Sequence, residues 1–221
     1  MVDTSKSQQA SFPDPHANAR LRDLYPSAQG LAVQKTRPAL DQHSRAFIAR
    51  SPFLCIGTAD ASGRADVSPR GDPPGFVLVL DDHTLLIPDR PGNNRLDTME
   101  NIVANPDVGL LFFIPGYDDT LRVNGKARII DEAARLATAE INCKVPKTGI
   151  EVRVQEVFLH CGKALKRSRL WDPSQHADRA AFPSIARVIL EQTSEAGQTP
   201  SEAVVTAGDA FVEEDYAKNM Y

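Results

Sequence analysis

The sequence predicts a mainly β, α+β protein, an antiparallel β-barrel with flanking helices. Three observations predict it. About seven short segments between Phe53 and His160 show strand alternation or continuous apolar character. Their connections are short enough for hairpins and a meander, so the pairing is antiparallel. No G-x-G-x-x-G follows any of these segments and no G-x-x-x-x-G-K-S/T occurs, which removes the dinucleotide-binding and P-loop sheets.

The elements follow in order. Residues 1–15 are polar and proline-bearing and are expected to be a mobile lead-in. Residues 16–52 are expected to supply helices packed on the barrel, at Ala17–Tyr25 and Ala39–Ala49. The barrel is expected over 53–160. PFLCIGTAD turns at Ala61-Ser62-Gly63 into Arg64–Arg70, where Asp66, Ser68 and Arg70 share one face. FVLVL (Phe76–Leu80) and TLLIP (Thr84–Pro88) form the meander. VGLLFFI (Val108–Ile114) is the most apolar strand and is placed centrally. TLRVNGKARII (Thr120–Ile130) carries Gly125 in its interior, which predicts a bulge or a close backbone approach. A short helix capped by Asp131 follows, and IEVRVQEVFLH alternates to His160. Residues 161–221 are expected to be a helical extension of the same domain, basic at first and ending in an acidic tail.

Between the meander and the central strand lies PDRPGNNRLDTMENIVANPDV. Pro91-Gly92 makes a turn, Asn93 or Asn94 caps a helix, and Leu96, Met99 and Val103 share its apolar face. Asn105-Pro106 stops it. Arg95 then falls in the first turn, where the helix dipole favours acids. A cation there fits an anion seated between it and the free N–H groups, or a surface ion pair with Asp97 or Asp89.

Charge and composition bound the function. A net charge of -4 over 221 residues argues against a general nucleic-acid surface. No apolar run has the length of a membrane span, and the first twenty residues show no export signal, so a cytoplasmic protein is expected. Cys55, Cys143 and Cys161 are odd in number and form no C-x-x-C pair, which suits a reducing compartment. The five histidines lack ligand spacing, so no metal site is expected.

The order of strand pair ending VSPRGD, meander, NNRLDTMENIVANPDVGLLFF and LRVNGKARI resembles the pyridoxamine 5'-phosphate oxidase-like family of flavin-binding proteins. The resemblance covers Phe53 to His160. It implies a split β-barrel, a homodimer and FMN held at the dimer interface. The chain departs from the true oxidases. Arg70 leads into Gly71-Asp72-Pro73-Pro74 in place of their R-x-V-L-L-K strand. Their Gln falls at Thr120, and the Lys after the helix Arg is Leu96. Their C-terminal R-x-H segment has no match. The ending HCGKALKRSRLW looks closer to a broad branch of the family distinct from the vitamin B6 oxidases.

FMN needs a dianion seat, donors along the ring edge and an apolar slot. Asn93, Asn94 and Arg95 are candidates for the first. Ser68 and Arg70 share one strand face and add a hydroxyl and a cation, or Arg70 bridges to Asp66 or Asp72 on a solvated rim. Arg90 either contacts the cofactor or is an exposed turn residue. Thr120 and Arg122 share a polar strand face that in the family looks toward the flavin, or Arg122 makes a cross-strand salt bridge. Lys163, with Lys166, Arg167 and Arg169, is either a solvated helix face or a positive patch that meets the flavin phosphate or an acidic substrate across the dimer. No catalytic residue is named. The expected activity is an FMN-dependent oxidoreductase acting on a small molecule, with a nicotinamide donor as a candidate partner. The alternative is a non-catalytic flavin, deazaflavin or haem carrier on the same barrel.

Overall fold

The computed structural model describes residues 17–195 and 198–221. The lead-in expected over residues 1–15 lies outside the described residues. The chain divides into two units, one up to Thr36 and one from Arg37 to Tyr221. The described part of the first holds α1 (Ala17–Leu24) and α2 (Leu31–Gln34). The rest concerns the second unit.

There α3 (Gln42–Ile48) is fixed at its start by a capping box. The Asp41 carboxylate accepts from the Ser44 N–H, and the Ser44 hydroxyl accepts from the Asp41 N–H. It buries Phe47 and Ile48 and packs on the sheet, as expected of the second helical segment.

The sheet contains β1 (Phe53–Ala59), β2 (Ala65–Gly71), β3 (Leu78–Asp81), β4 (Thr84–Pro88), β5 (Asp107–Phe113), β6 (Thr120–Ile130) and β7 (Gly149–His160). All neighbours are antiparallel, in the order β2-β1-β5-β6-β7-β4-β3. The expected mainly β, antiparallel split barrel is therefore the observed architecture. The sheet does not close into a continuous ladder, since β2 and β3 end it. β5 is an interior strand, but the middle of the order is β6.

One face of the sheet forms the core. Leu54, Ile56, Leu85, Ile87, Leu110, Phe112, Leu121, Val123 and Val152 are all buried there. β5 reads as a continuous apolar run, yet only alternate residues are buried: Val108, Leu110 and Phe112 point in, while Leu111 and Phe113 remain partly exposed. Their row continues across the sheet. Phe113 lies opposite Phe53, and Leu111 opposite Cys55 and Arg122. The outer face of β1, β2, β5, β6 and β7 is thus unusually apolar for a solvated surface.

Gly125 behaves as expected. The β6–β7 register shifts between Asn124 and Gly125, and a Cβ on Gly125 would overlap the Arg153 carbonyl oxygen.

Helix α4 (Asp97–Ala104) corrects the sequence reading in two respects. Asn94 and Leu96 both adopt left-handed backbone, with φ of 57° and 60°, so the helix begins two residues later than expected. Arg95 precedes it and does not lie in its first turn. The inward face is Thr98 and Ile102, while Leu96 and Val103 are exposed. Asn101 ties the helix to β1 by donating to the Thr58 hydroxyl at 3.0 Å.

After β6, α5 (Ala133–Leu136) is preceded by Glu132 at the N-cap, not Asp131. Helices α6 (Lys163–Ser168) and α7 (Ile185–Thr193) lie near their expected places. The acidic tail is in fact α8, Glu202–Asn219, capped by Ser201. It lacks an apolar stripe, and Val205 is its one buried residue, so periodicity does not announce it. α8 crosses α7 where Gly208 meets Ala186.

Gly125→Ala is expected to destabilise the protein by about 1–3 kcal/mol through overpacking. Gly57→Ala, whose new Cβ meets only the Gly109 oxygen at 3.7 Å, is the matched control. Equal urea midpoints for the two variants would contradict the close approach at Gly125.

Candidate functional site

A cleft of about 510 Å³ lies between the β2 edge and the segment from Pro88 to Met99. That volume is within the ~300–1,000 Å³ typical of small-molecule sites. Alternation along β2 turns Asp66, Ser68 and Arg70 toward it. Phe76, Pro88, Pro91 and Leu96 give it apolar lining.

Two ion pairs cross at its base. Arg70 donates from Nη1 to Asp89 Oδ1 at 2.9 Å. Arg90 donates from Nε to Asp72 Oδ2 at 2.6 Å and from Nη2 to the Ala139 carbonyl at 3.0 Å. The Asp72 side chain is only 1% exposed, and its other oxygen accepts from the Tyr221 hydroxyl at 2.7 Å. Asp72 holds the Tyr221 hydroxyl proton and raises its pKa. Asp89 is half-buried; burial pushes its pKa up, outweighing the opposing pull of Arg70. Arg70 Nε is buried with no hydrogen-bond acceptor among the described residues.

The six candidates Ser68, Arg70, Arg90, Asn93, Asn94 and Arg95 all line this cleft. Their local roles differ from those expected. Arg90 is not an exposed turn residue; it is held by Asp72. Arg70 is bridged by Asp89 and not by Asp66 or Asp72. Asn93 caps no helix but accepts from the Arg95 N–H at 3.1 Å. Asn94 supplies one of the two left-handed residues, a conformation in which Asn is among the better-tolerated side chains. Arg95 is exposed and donates to Asp97 Oδ2 at 2.8 Å, which raises its pKa further. The N-terminus of α4 has no side-chain cap, and Asp97, Thr98 and Met99 at that end line the cleft.

The other three candidates lie elsewhere. Thr120 is buried at the start of β6 opposite His160. Arg122 is on the outer sheet face, its guanidinium 5.5 Å from the Phe158 ring centroid. Among the described residues, no carboxylate forms an ion pair with it; its contact across the strands is with Phe158. Lys163 opens α6 beside a second hollow of about 330 Å³, with Lys166 and Asp118. Trp171 is anchored there by donating to the Tyr117 carbonyl at 2.8 Å.

Sequence reasoning missed Asp72, Asp89 and Tyr221 as parts of the site. The signal was present in R-G-D at 70–72 and D-R at 89–90, two ends with complementary charges. Among the described residues, no group of three His, Cys, Asp or Glu side chains converges on one point, and no helix is long and apolar enough to cross a membrane.

The family model of pyridoxamine 5'-phosphate oxidase matches residues 40–161. The chain belongs to this family. Solved structures include likenesses to HupZ of Group A Streptococcus, at 22% identity, TM-score 0.45, covering 54% of this chain and 93% of that one. An FMN-binding protein of Syntrophomonas wolfei matches at 12% identity and TM-score 0.43, over 53% and 83% of the two chains. General stress protein 26 of Bacillus anthracis matches at 14% and 0.40, over 53% and 94%. No curated protein matches the chain.

Two outcomes follow from the paired charges. Asp72→Ala leaves Arg90 partly buried without its counter-ion and is expected to cost about 2–3 kcal/mol, less than for a fully buried pair. Arg95→Ala, at an exposed pair, is expected to leave the urea midpoint unchanged. Losses of equal size would contradict the assignment of Arg90 as the structural arginine. The second outcome concerns pH. Asp89 keeps its proton to higher pH in the native state than its ordinary 3.8. Its contribution to stability is therefore present below that value and lost as pH rises through the native one. Asp89→Asn is expected to flatten this part of the stability–pH curve, and an unchanged slope would contradict the burial effect.

Proposed function

We propose that the protein is an FMN-dependent oxidoreductase that works as a homodimer, with the cleft beside β2 as its cofactor site. The observation that carries this reading is Arg70 in the cleft lining, whose buried Nε has no acceptor among the described residues. Such a group costs about 1–3 kcal/mol unless something accepts from it. A ligand in the cleft offsets that cost. Arg95, the uncapped start of α4 and the left-handed turn around them suit a phosphate, whose charge meets both the guanidinium and the open N–H groups. The apolar lining from Phe76, Pro88, Pro91 and Leu96 suits a ring. Bound FMN supplies the hydride chemistry; the chain's residues bind it, orient it and exclude water.

The outer sheet face supports the dimer. Phe53 and Val67 are exposed there, with Leu111, Phe113 and Phe158 partly so. A second copy on this face covers the patch. Thr120, Arg122 and Lys163 lie away from the cleft of their own protomer, so in this reading they reach FMN from the second copy. The substrate is a small molecule and the electron donor a nicotinamide. Three free cysteines fit the cytoplasm.

The visible spectrum tests the cofactor. Purified protein is expected to show two flavin bands that bleach with NADH or NADPH and return with an acceptor. A Soret band, or no uptake of added FMN, would overturn the assignment. Arg95→Ala is expected to weaken FMN roughly tenfold, the loss of one charge-assisted contact, and to leave riboflavin binding unchanged. Equal losses for both ligands would remove Arg95 from the phosphate seat. Light scattering is expected to give about twice the chain mass of 24.1 kDa. Phe53→Glu is expected to halve the measured mass, and a monomeric parent would refute the dimer.

A further inference from the structure

The cleft has a charge balance that constrains what enters it. Arg70, Arg90 and Arg95 line it, but so do Asp66, Asp89 and Asp97. Arg90 is moreover committed to Asp72, whose second oxygen is held by Tyr221. Arg95 is paired with Asp97 from α4. Thus the site offers a dianion no surplus of positive charge. Arg70 lines the cleft with its Nη1 already held by Asp89, and its buried Nε has no acceptor among the described residues. An anionic ligand that accepts from the Arg70 guanidinium places a second negative group on the same partly buried cation.

We propose that Asp89 takes up a proton when the cleft binds its anionic ligand, so that Asp89 sets the charge state the site accepts. The inference rests on the reading of the cleft as the FMN site. The charged groups facing Asp89 are Arg70 from β2 and Arg90 next to it in the chain; Asp72 lies behind Arg90, and the Arg95–Asp97 pair and Asp66 complete the lining. From the loop before β7, the Thr148 carbonyl accepts from the Asp89 N–H at 3.1 Å and fixes its backbone. Burial already disfavours the charge on Asp89, which sits against Arg70 at 2.9 Å, and a neighbouring anion adds to that effect. A neutral Asp89 can stay in place as a hydrogen-bonding group while Arg70 turns its charge to the ligand. The proton count then makes affinity depend on pH. Between the free and the bound pKa of Asp89, affinity falls as pH rises, and above the bound value it is flat.

FMN titration by flavin fluorescence, from pH 5 upward to pH 8, on the parent and on Asp89→Asn tests this. The FMN phosphate itself titrates near pH 6, but it does so for both proteins, so the ratio of their Kd values isolates Asp89. The parent Kd is expected to rise relative to the variant by up to about tenfold per pH unit for one proton. Calorimetry of the parent alone, in buffers of different ionisation heat, is expected to show net proton uptake beyond that of the phosphate. It does not depend on the variant folding. A flat ratio with no such uptake overturns the inference while leaving FMN binding intact. A parent that does not bind FMN overturns the cofactor reading and this inference together.

Discussion

The crossed pairs Arg70–Asp89 and Arg90–Asp72 link β2 and the residue after it to the chain leaving β4. A seven-stranded sheet that buries one face must curl, and this one stops short of closure with β2 and β3 as free ends. No backbone ladder joins β2 to the end of β4, so side chains make the connection. Such pairs contribute little net stability, because desolvation offsets much of the Coulomb attraction. Their effect is geometric. They fix the base of the cleft, and they leave Arg70 Nε buried with no acceptor among the described residues.

The two faces of the sheet carry the rest of the account. Period-2 alternation fills the inner face with residues such as Leu54, Phe112 and Val123 until none is exposed. The outer face repeats the same apolar chemistry in Phe53 and Val67, which are exposed, and in Leu111 and Phe113, which are partly so. The candidate residues divide in the same way. Six line the cleft, while Thr120 is buried at the start of β6, Arg122 stands on the outer face and Lys163 opens α6. The proposed dimer through the outer face would explain both the patch and the division.

The strands were legible because alternation and short turns are local signals; β4 and β6 occupy the residues that periodicity assigns them. Gly125 was legible because glycine inside a long strand has few other causes. The start of α4 was not. Two left-handed residues, one of them Leu96, delay the helix and turn its inward face to Thr98 and Ile102, and nothing in the local pattern requires a leucine to adopt that backbone. α8 was hidden for another reason: a helix that buries one side chain has no apolar stripe to read. At the site, the charged residues could be named but not their partners. Arg70 meets Asp89 across 19 positions, and Tyr221 meets Asp72 across 149, contacts that only the fold creates.

The central claim is that the β2 edge and the Pro88–Met99 segment together form a cofactor site. Hydrogen–deuterium exchange with and without FMN tests it most directly, because it reports where the ligand acts without assuming any residue's role. Added FMN is expected to slow exchange in Asp66–Gly71 and in the Pro88–Met99 segment together. Protection confined to another region, or none in these two segments when FMN is bound, would contradict the account.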